Sequence, residues 1–222
     1  MVLLGMCAAV ERDDLNPQPV AAPGTVAGRP RGWRRGRART TRLLILAAVG
    51  LALVLVARFS VQDFNVTGRS MVPTIHTNQM VLVDKISYDF ISPQRGDIIV
   101  FHVPVEPKVV YIKRIIAVPG DRIQIYGGKV WVDGRALYEP YTSAPPNYTM
   151  GTIPGTNSDV VPNGEYFVLG DNRPHSNDSH RWGLVPRADI IGRAILAYWP
   201  LDRFEFLTDP STAAPPRKGT IH

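Results

Sequence analysis

Between residues 61 and 207 the apolar residues fall in short runs cut by Gly, Pro, Asn and Asp, and no 3.6-residue period lasts three turns. That patterning rules out a helical bundle and leaves a β fold. Residues 80–83 and 98–101 are such runs, and Glu165–Leu169 is another, ending in Gly170-Asp171-Asn172. Residues 122–126, Gly127-Gly128, residues 129–132 and Asp133-Gly134 spell a hairpin, because Gly-Gly and Asp-Gly suit the positive φ of tight turns. The stretch 138–163, dense in Pro, Gly, Thr and Ser, reads as a long excursion, so 122–163 is a hairpin and loop subregion. The expected fold class is mainly β: an antiparallel sheet domain over residues 59–207, tethered by one N-terminal transmembrane helix.

The tether is residues 43–58. Residues 43–57 carry no polar side chain and close on Arg58. Fifteen residues fall short of the ~20 that span a bilayer core, so a buried helix or the core of a cleavable signal competes with an anchor. Thr40, Thr41 and Phe59 lengthen the uncharged stretch, Arg42 and Arg58 can snorkel, and seven Arg lie on one side only, between residues 29 and 42. Leu55-Val56-Ala57 before Arg58 also makes a poor cleavage site. By the positive-inside rule residues 1–42 are a cytoplasmic tail and everything after Arg58 is extracytoplasmic, at the cell membrane.

Charge supports the same division. The net +6 of the chain resolves into eight Arg against three acids in residues 1–42, and 17 basic against 16 acidic residues beyond. The body is nearly neutral, so no nucleic-acid partner is expected, and the basic tail reads as a topology signal in contact with a lipid bilayer. Residues 1–42 and 208–222 read as disordered. The single Cys7 excludes a disulfide framework and a Cys-based zinc site, and no metal or organic cofactor is implied.

Residues 109–118 form an apolar strand with Lys113 and Arg114 in its middle. Alternation puts Tyr111, Lys113 and Ile115 on one face and Ile112, Arg114 and Ile116 on the other, so at least one cation points where apolar side chains point. A buried ammonium loses its proton more readily, and a neutral amine is a good general base. An edge strand with a snorkelling lysine is the plain alternative. A base needs a nucleophile, and Ser70 lies between Gly68 and Pro73, residues that bend and fix a chain and can expose a hydroxyl beside a backbone N–H. A plain turn serine explains the same residues, and a triad of Ser70, His180 and Asp171 is open on composition, though no spacing selects it.

Ser70-Met71-Val72-Pro73-Thr74 resembles the nucleophile box of type I signal peptidases. Gly96-Asp97-Ile98-Ile99-Val100-Phe101 is similar to their next box, and Tyr111-Ile112-Lys113-Arg114-Ile115-Ile116-Ala117-Val118-Pro119-Gly120-Asp121 to their lysine box. Gly170-Asp171-Asn172-Arg173-Pro174-His175-Ser176-Asn177-Asp178-Ser179 matches the last, continued by Trp182-Gly183. The boxes stand in family order behind an N-terminal apolar stretch, and the resemblance spans roughly residues 40 to 207.

The resemblance implies a membrane-bound serine endopeptidase that cuts signal peptides from exported preproteins after small-x-small sites. Ser70 is implied as nucleophile and Lys113 as neutral general base, with Ser176 holding the lysine amine. The Ser70 N–H is implied as one oxyanion donor; Gly68 stands where some members carry a second, a Ser hydroxyl. Asp178 matches a structural acid whose family partner is an Arg two residues on. Here that position is His180, so the pair is weaker or pH-dependent, or shifts to Arg114 or Arg181. Phe64, Val66, Val81, Val100, Tyr111 and Ile112 match the substrate cleft. A peptidase with a single client, a self-cleaving repressor and a non-catalytic membrane-tethered β scaffold are the competing readings. The repressor would need a DNA-binding helical module ahead of the sheet, and the scaffold leaves Lys113 unexplained.

Overall fold

The computed structural model describes residues 32–207. The expectations for residues 1–31 and 208–222 lie outside the described residues.

Helix α1 runs from Gly32 to Ser60. It starts eleven residues before residue 43, the expected start of the tether, within the stretch read as disordered. Arg and Ala, which dominate residues 34–39, are both strong helix formers, so the backbone continues the apolar helix upstream. Leu43, Leu44, Ile45 and Leu46, which between them cover every face of a helix, are all exposed. Among the described residues no helix is long and apolar enough to cross a membrane.

The remainder is mainly β, as expected. The strands are β1 (Val61–Asn65), β2 (Met80–Asp84), β3 (Ile98–Val103), β4 (Glu106–Ala117), β5 (Ile123–Tyr126), β6 (Lys129–Val132), β7 (Arg135–Ala136), β8 (Glu165–Leu169), β9 (Val185–Pro186), β10 (Ile190–Trp199) and β11 (Glu205–Phe206). Two one-turn helices, α2 (Ser87–Phe90) and α3 (Ser179–Trp182), interrupt them. The larger sheet has the order β1-β2-β10-β3-β4-β8-β9, with β11 on β10, and the smaller one the order β5-β6-β7. Every strand pairing is antiparallel.

The hairpin forms where its turn residues stand: Tyr126 faces Lys129 across Gly127 and Gly128, whose φ angles of 59° and 68° only glycine adopts readily. The excursion that follows is not a free loop. Met150, Ile153 and Val161 are buried against Ile123, Ile125, Val130 and Val132, giving the small sheet a core shared with Ile116, Phe167 and Leu169. Strand β10 had no counterpart in the sequence reading. It sits between β2 and β3, and Gly192 and Arg193 break its apolar run.

The plain account of β4 as an edge strand does not hold. β4 lies between β3 and β8, with Ile99 opposite Lys113 and both Ile98 and Leu169 opposite Arg114. Both cations are therefore buried, Lys113 at 3% exposure and Arg114 at 4%.

Candidate active site

After β1 the chain leaves the sheet in a loop closed by Val66 N–H to the Gln79 carbonyl (2.9 Å) and Asn78 N–H to the Val66 carbonyl (2.8 Å). Inside it, Val72 N–H returns to the Arg69 carbonyl and Ile75 N–H to the Met71 carbonyl, winding residues 69–75 into tight turns. Met71 and Ile75 are buried among Val81, Val83, Ile98 and Val100 and anchor those turns, so Ser70 is carried at the core's margin rather than on a free loop. Asn172 ties the other side, its N–H to the Ser70 carbonyl (2.9 Å) and its side-chain amide to the Arg69 carbonyl (3.1 Å). The Ser70 N–H donates to no backbone carbonyl among the described residues.

Lys113 reaches this turn from β4. Its Nζ lies 2.7 Å from Ser70 Oγ, donates to the Ile112 carbonyl at 3.0 Å, and stands 4.8 Å from the centre of the Tyr111 ring. Burial pulls the amine down from its usual 10.5 to about 8, while the carboxylates of Asp178 and Asp171 pull the other way. Desolvation outweighs both acids. With the amine near 8, about a tenth of it is unprotonated at pH 7 and half at pH 8, within hydrogen-bond reach of a serine hydroxyl.

Residues 170–180 brace the pair. A Cβ on Gly170 would collide with Ser176 Oγ and the Ser70 carbonyl oxygen, so only glycine lets this loop close on the serine turn. Ser176 is buried there, and its hydroxyl has no hydrogen-bond partner among the described residues; the Lys113 amine is held by the Ile112 carbonyl instead. Asp178 accepts from Gly170 N–H (2.9 Å) and caps α3 through His180 N–H (3.3 Å). Of the partners left open for Asp178, the structure places His180 against it, Nδ1 to Oδ1 at 2.6 Å, with the imidazole stacked 3.8 Å from the Tyr148 ring. Arg181 reaches only the far imidazole nitrogen. Arg114 goes elsewhere: it forks onto Asp171 (2.9 and 2.7 Å), donates to the Gly96 carbonyl and lies over Tyr141, while Thr74 Oγ1 donates to the same Asp171. The triad of Ser70, His180 and Asp171 does not assemble, because Asp171 is taken by Arg114 and Thr74, and His180 by Asp178.

An open cleft of about 360 Å³ runs along the pair between residues 64–70 and residues 109–113. Of the residues that the resemblance assigns to a substrate cleft, Phe64, Val66, Val100, Tyr111 and Ile112 line it. Val81 does not. It pairs with Phe64 across the β1–β2 ladder, on the same face of the sheet, but lies fully buried in the core against which Phe64 packs. His175 and Asn177 close the cleft from the third side. Among the described residues no group of three or more His, Cys, Asp or Glu is arranged to hold a metal ion.

The family model "Signal peptidase, peptidase S26" matches residues 38–199. The chain belongs to this family. It is 42% identical to signal peptidase I of Leptolyngbya laminosa, the match covering 74% of this chain and 83% of that one. It is 39% identical to probable signal peptidase I-2 of Synechocystis sp., over 77% and 76%. A solved signal peptidase I of Enterococcus faecalis is 35% identical, the match covering 46% of this chain and 97% of that one with a TM-score of 0.40.

Several contributors to this signal peptidase site carried no usable signal in the sequence. Glu139 lies in the Pro-rich excursion, yet its carboxylate takes both terminal nitrogens of the buried Arg173, whose Nε holds the Gly170 carbonyl at 3.0 Å. His175 reads as a solvated loop histidine, and it is exposed, but it also borders the cleft. It ends the short helical turn Arg173–His175, where the period-2 alternation of a strand gives no signal.

Proposed function

We propose that this chain is a serine endopeptidase that removes N-terminal signal peptides from exported preproteins after small-x-small sites, using Ser70 as nucleophile and Lys113 as general base. The observation that carries the reading is the 2.7 Å approach of the buried, easily deprotonated Lys113 amine to Ser70 Oγ.

The neutral amine takes the hydroxyl proton as Ser70 Oγ attacks the peptide carbonyl carbon. The free Ser70 N–H faces the oxygen that gains charge; Gly68, with no side chain, adds no hydroxyl there. The ammonium then returns its proton to the departing amine, leaving an ester on Ser70. Water hydrolyses that ester, with Lys113 again accepting the proton. Ser176, buried beside Gly170 with an unpartnered hydroxyl, takes the amine when the Ser70 oxygen is acylated, and Asp178 and Arg114 hold the surrounding loops. The substrate enters as an extended strand between residues 64–68 and 109–112, which offer it backbone groups. Phe64, Val66, Val100, Tyr111 and Ile112 shape a shallow apolar surface for small side chains.

The enzyme is held at the cell membrane by α1, with its N-terminus cytoplasmic and the sheet domain outside. The exposed apolar side chains of residues 43–46 and Leu51 support this reading, as do the flanking Arg42 and Arg58. Retention of the full chain in alkali-washed membranes tests the tether, and recovery in the soluble fraction would overturn it. The cleavage test uses a preprotein with an Ala-x-Ala site in detergent. Wild type is expected to cut once after that site, and Ser70→Ala and Lys113→Ala to be folded and inactive. An intact preprotein with wild type would leave a peptidase with one specialised client, or a scaffold.

A further inference from the structure

The cleft is not uniform. Phe64, Val66, Val100 and Ile112 give it apolar lining, whereas Arg69, His175 and Asn177 are polar residues that line it together with Ser70. Arg69 directly precedes the serine in the turn that Asn172 holds. His175 ends the short helical turn Arg173–His175 and Asn177 follows buried Ser176; both are exposed residues that line the cleft. Among the described residues, no Asp or Glu lines the cleft. All three polar side chains are exposed, and none of their side chains makes a hydrogen bond or ion pair to the rest of the described residues.

We propose that Arg69 and His175, with Asn177, form a subsite for an acidic side chain at the first or second residue after the scissile bond. This rests on Ser70 and Lys113 being the cleaving pair. The direction follows from what the walls can accept. The apolar lining takes the small residues before the bond, where a charged side chain would be desolvated without a partner. The chain beyond the bond leaves past Ser70, where a carboxylate meets an Arg fork and amide and imidazole donors. Solvent screens these groups, so the subsite tunes specificity by several-fold and does not drive binding.

The test is the ratio of kcat/KM for peptides that share one Ala-x-Ala site and carry Glu, Gln or Lys at the first or second following residue. Wild type is expected to cleave the Glu peptide roughly five to ten times faster than the Lys peptide at low salt, the ratio falling towards one at about 1 M salt as screening shortens to ~3 Å. Arg69→Gln and His175→Gln each lower that ratio. His175→Glu, which leaves the serine turn untouched, inverts it. Equal rates on the Glu and Lys peptides by an active wild type, or a ratio that survives both Gln substitutions, would overturn the subsite alone. A wild type that cleaves none of the peptides would instead overturn the endopeptidase reading beneath it.

Discussion

Lys113 is the residue on which sequence and function meet most closely. Its amine is both desolvated and aimed at a hydroxyl, and the first property determines how activity depends on pH. With the amine near 8, kcat/KM is expected to rise with pH, reach half its plateau close to 8 and level off above 9; a profile flat from pH 6 to 10 would remove the amine as base. The same depression costs stability. A lysine that binds its proton more weakly folded than unfolded destabilises the fold fully below about 8, and the penalty fades as pH climbs towards 10.5. Lys113→Met, inactive, should therefore be about 3 kcal/mol more stable than wild type at pH 7, with the gain shrinking by pH 10. Urea unfolding at the two pH values checks this, and an equal or lower stability at pH 7 would contradict it.

At the scale of elements, the site depends on three segments meeting: the turn after β1, the end of β4 and the loop after β8. Gly170 is the contact between the first and the third, packed against Ser70 and Ser176 with no room for a Cβ. Gly170→Ala should cut kcat at least a hundred-fold while costing about 1–3 kcal/mol of stability, because the displaced atoms include the backbone of the nucleophile's own residue. Unchanged kcat in a folded Gly170→Ala protein would mean that the loop does not position Ser70. The sequence showed this glycine as part of a motif but not its reason, since a close approach between residues 100 apart leaves no local periodicity. The replacement of an Arg by His180 was legible, whereas its choice of Asp178 over a solvent-facing position depended on the Tyr148 ring stacked on it from the excursion.

For the whole molecule, the excursion is tied to the loop beside Ser70 by the Tyr148–His180 stack, by Ser143 N–H to the Asp171 carbonyl and by a buried ion pair. Arg173 gives both terminal nitrogens to Glu139 and its Nε to Gly170. Removing one partner strands the other's charge, so Arg173→Met should destabilise by about 3–5 kcal/mol, and adding Glu139→Met should recover much of the loss. A double variant as unstable as the single one would show that packing, not charge pairing, dominates.

What the sequence determined by itself was whatever repeats locally: the β class, the Gly127-Gly128 hairpin, the apolar stretch after Arg42, and the anomaly of two cations in an apolar strand. Alternation and turn chemistry act over a few residues, and so they are legible without the fold. Only the tertiary structure decided which partners those residues take. It put β10 between β2 and β3, made β4 an interior strand that buries both cations, sent Arg114 to Asp171, withdrew Val81 into the core, and brought Glu139 to Arg173. Each of these depends on segments distant in sequence competing for the same charge or the same volume. Neither a charge partner nor a filled space is specified until the sheet has closed around it.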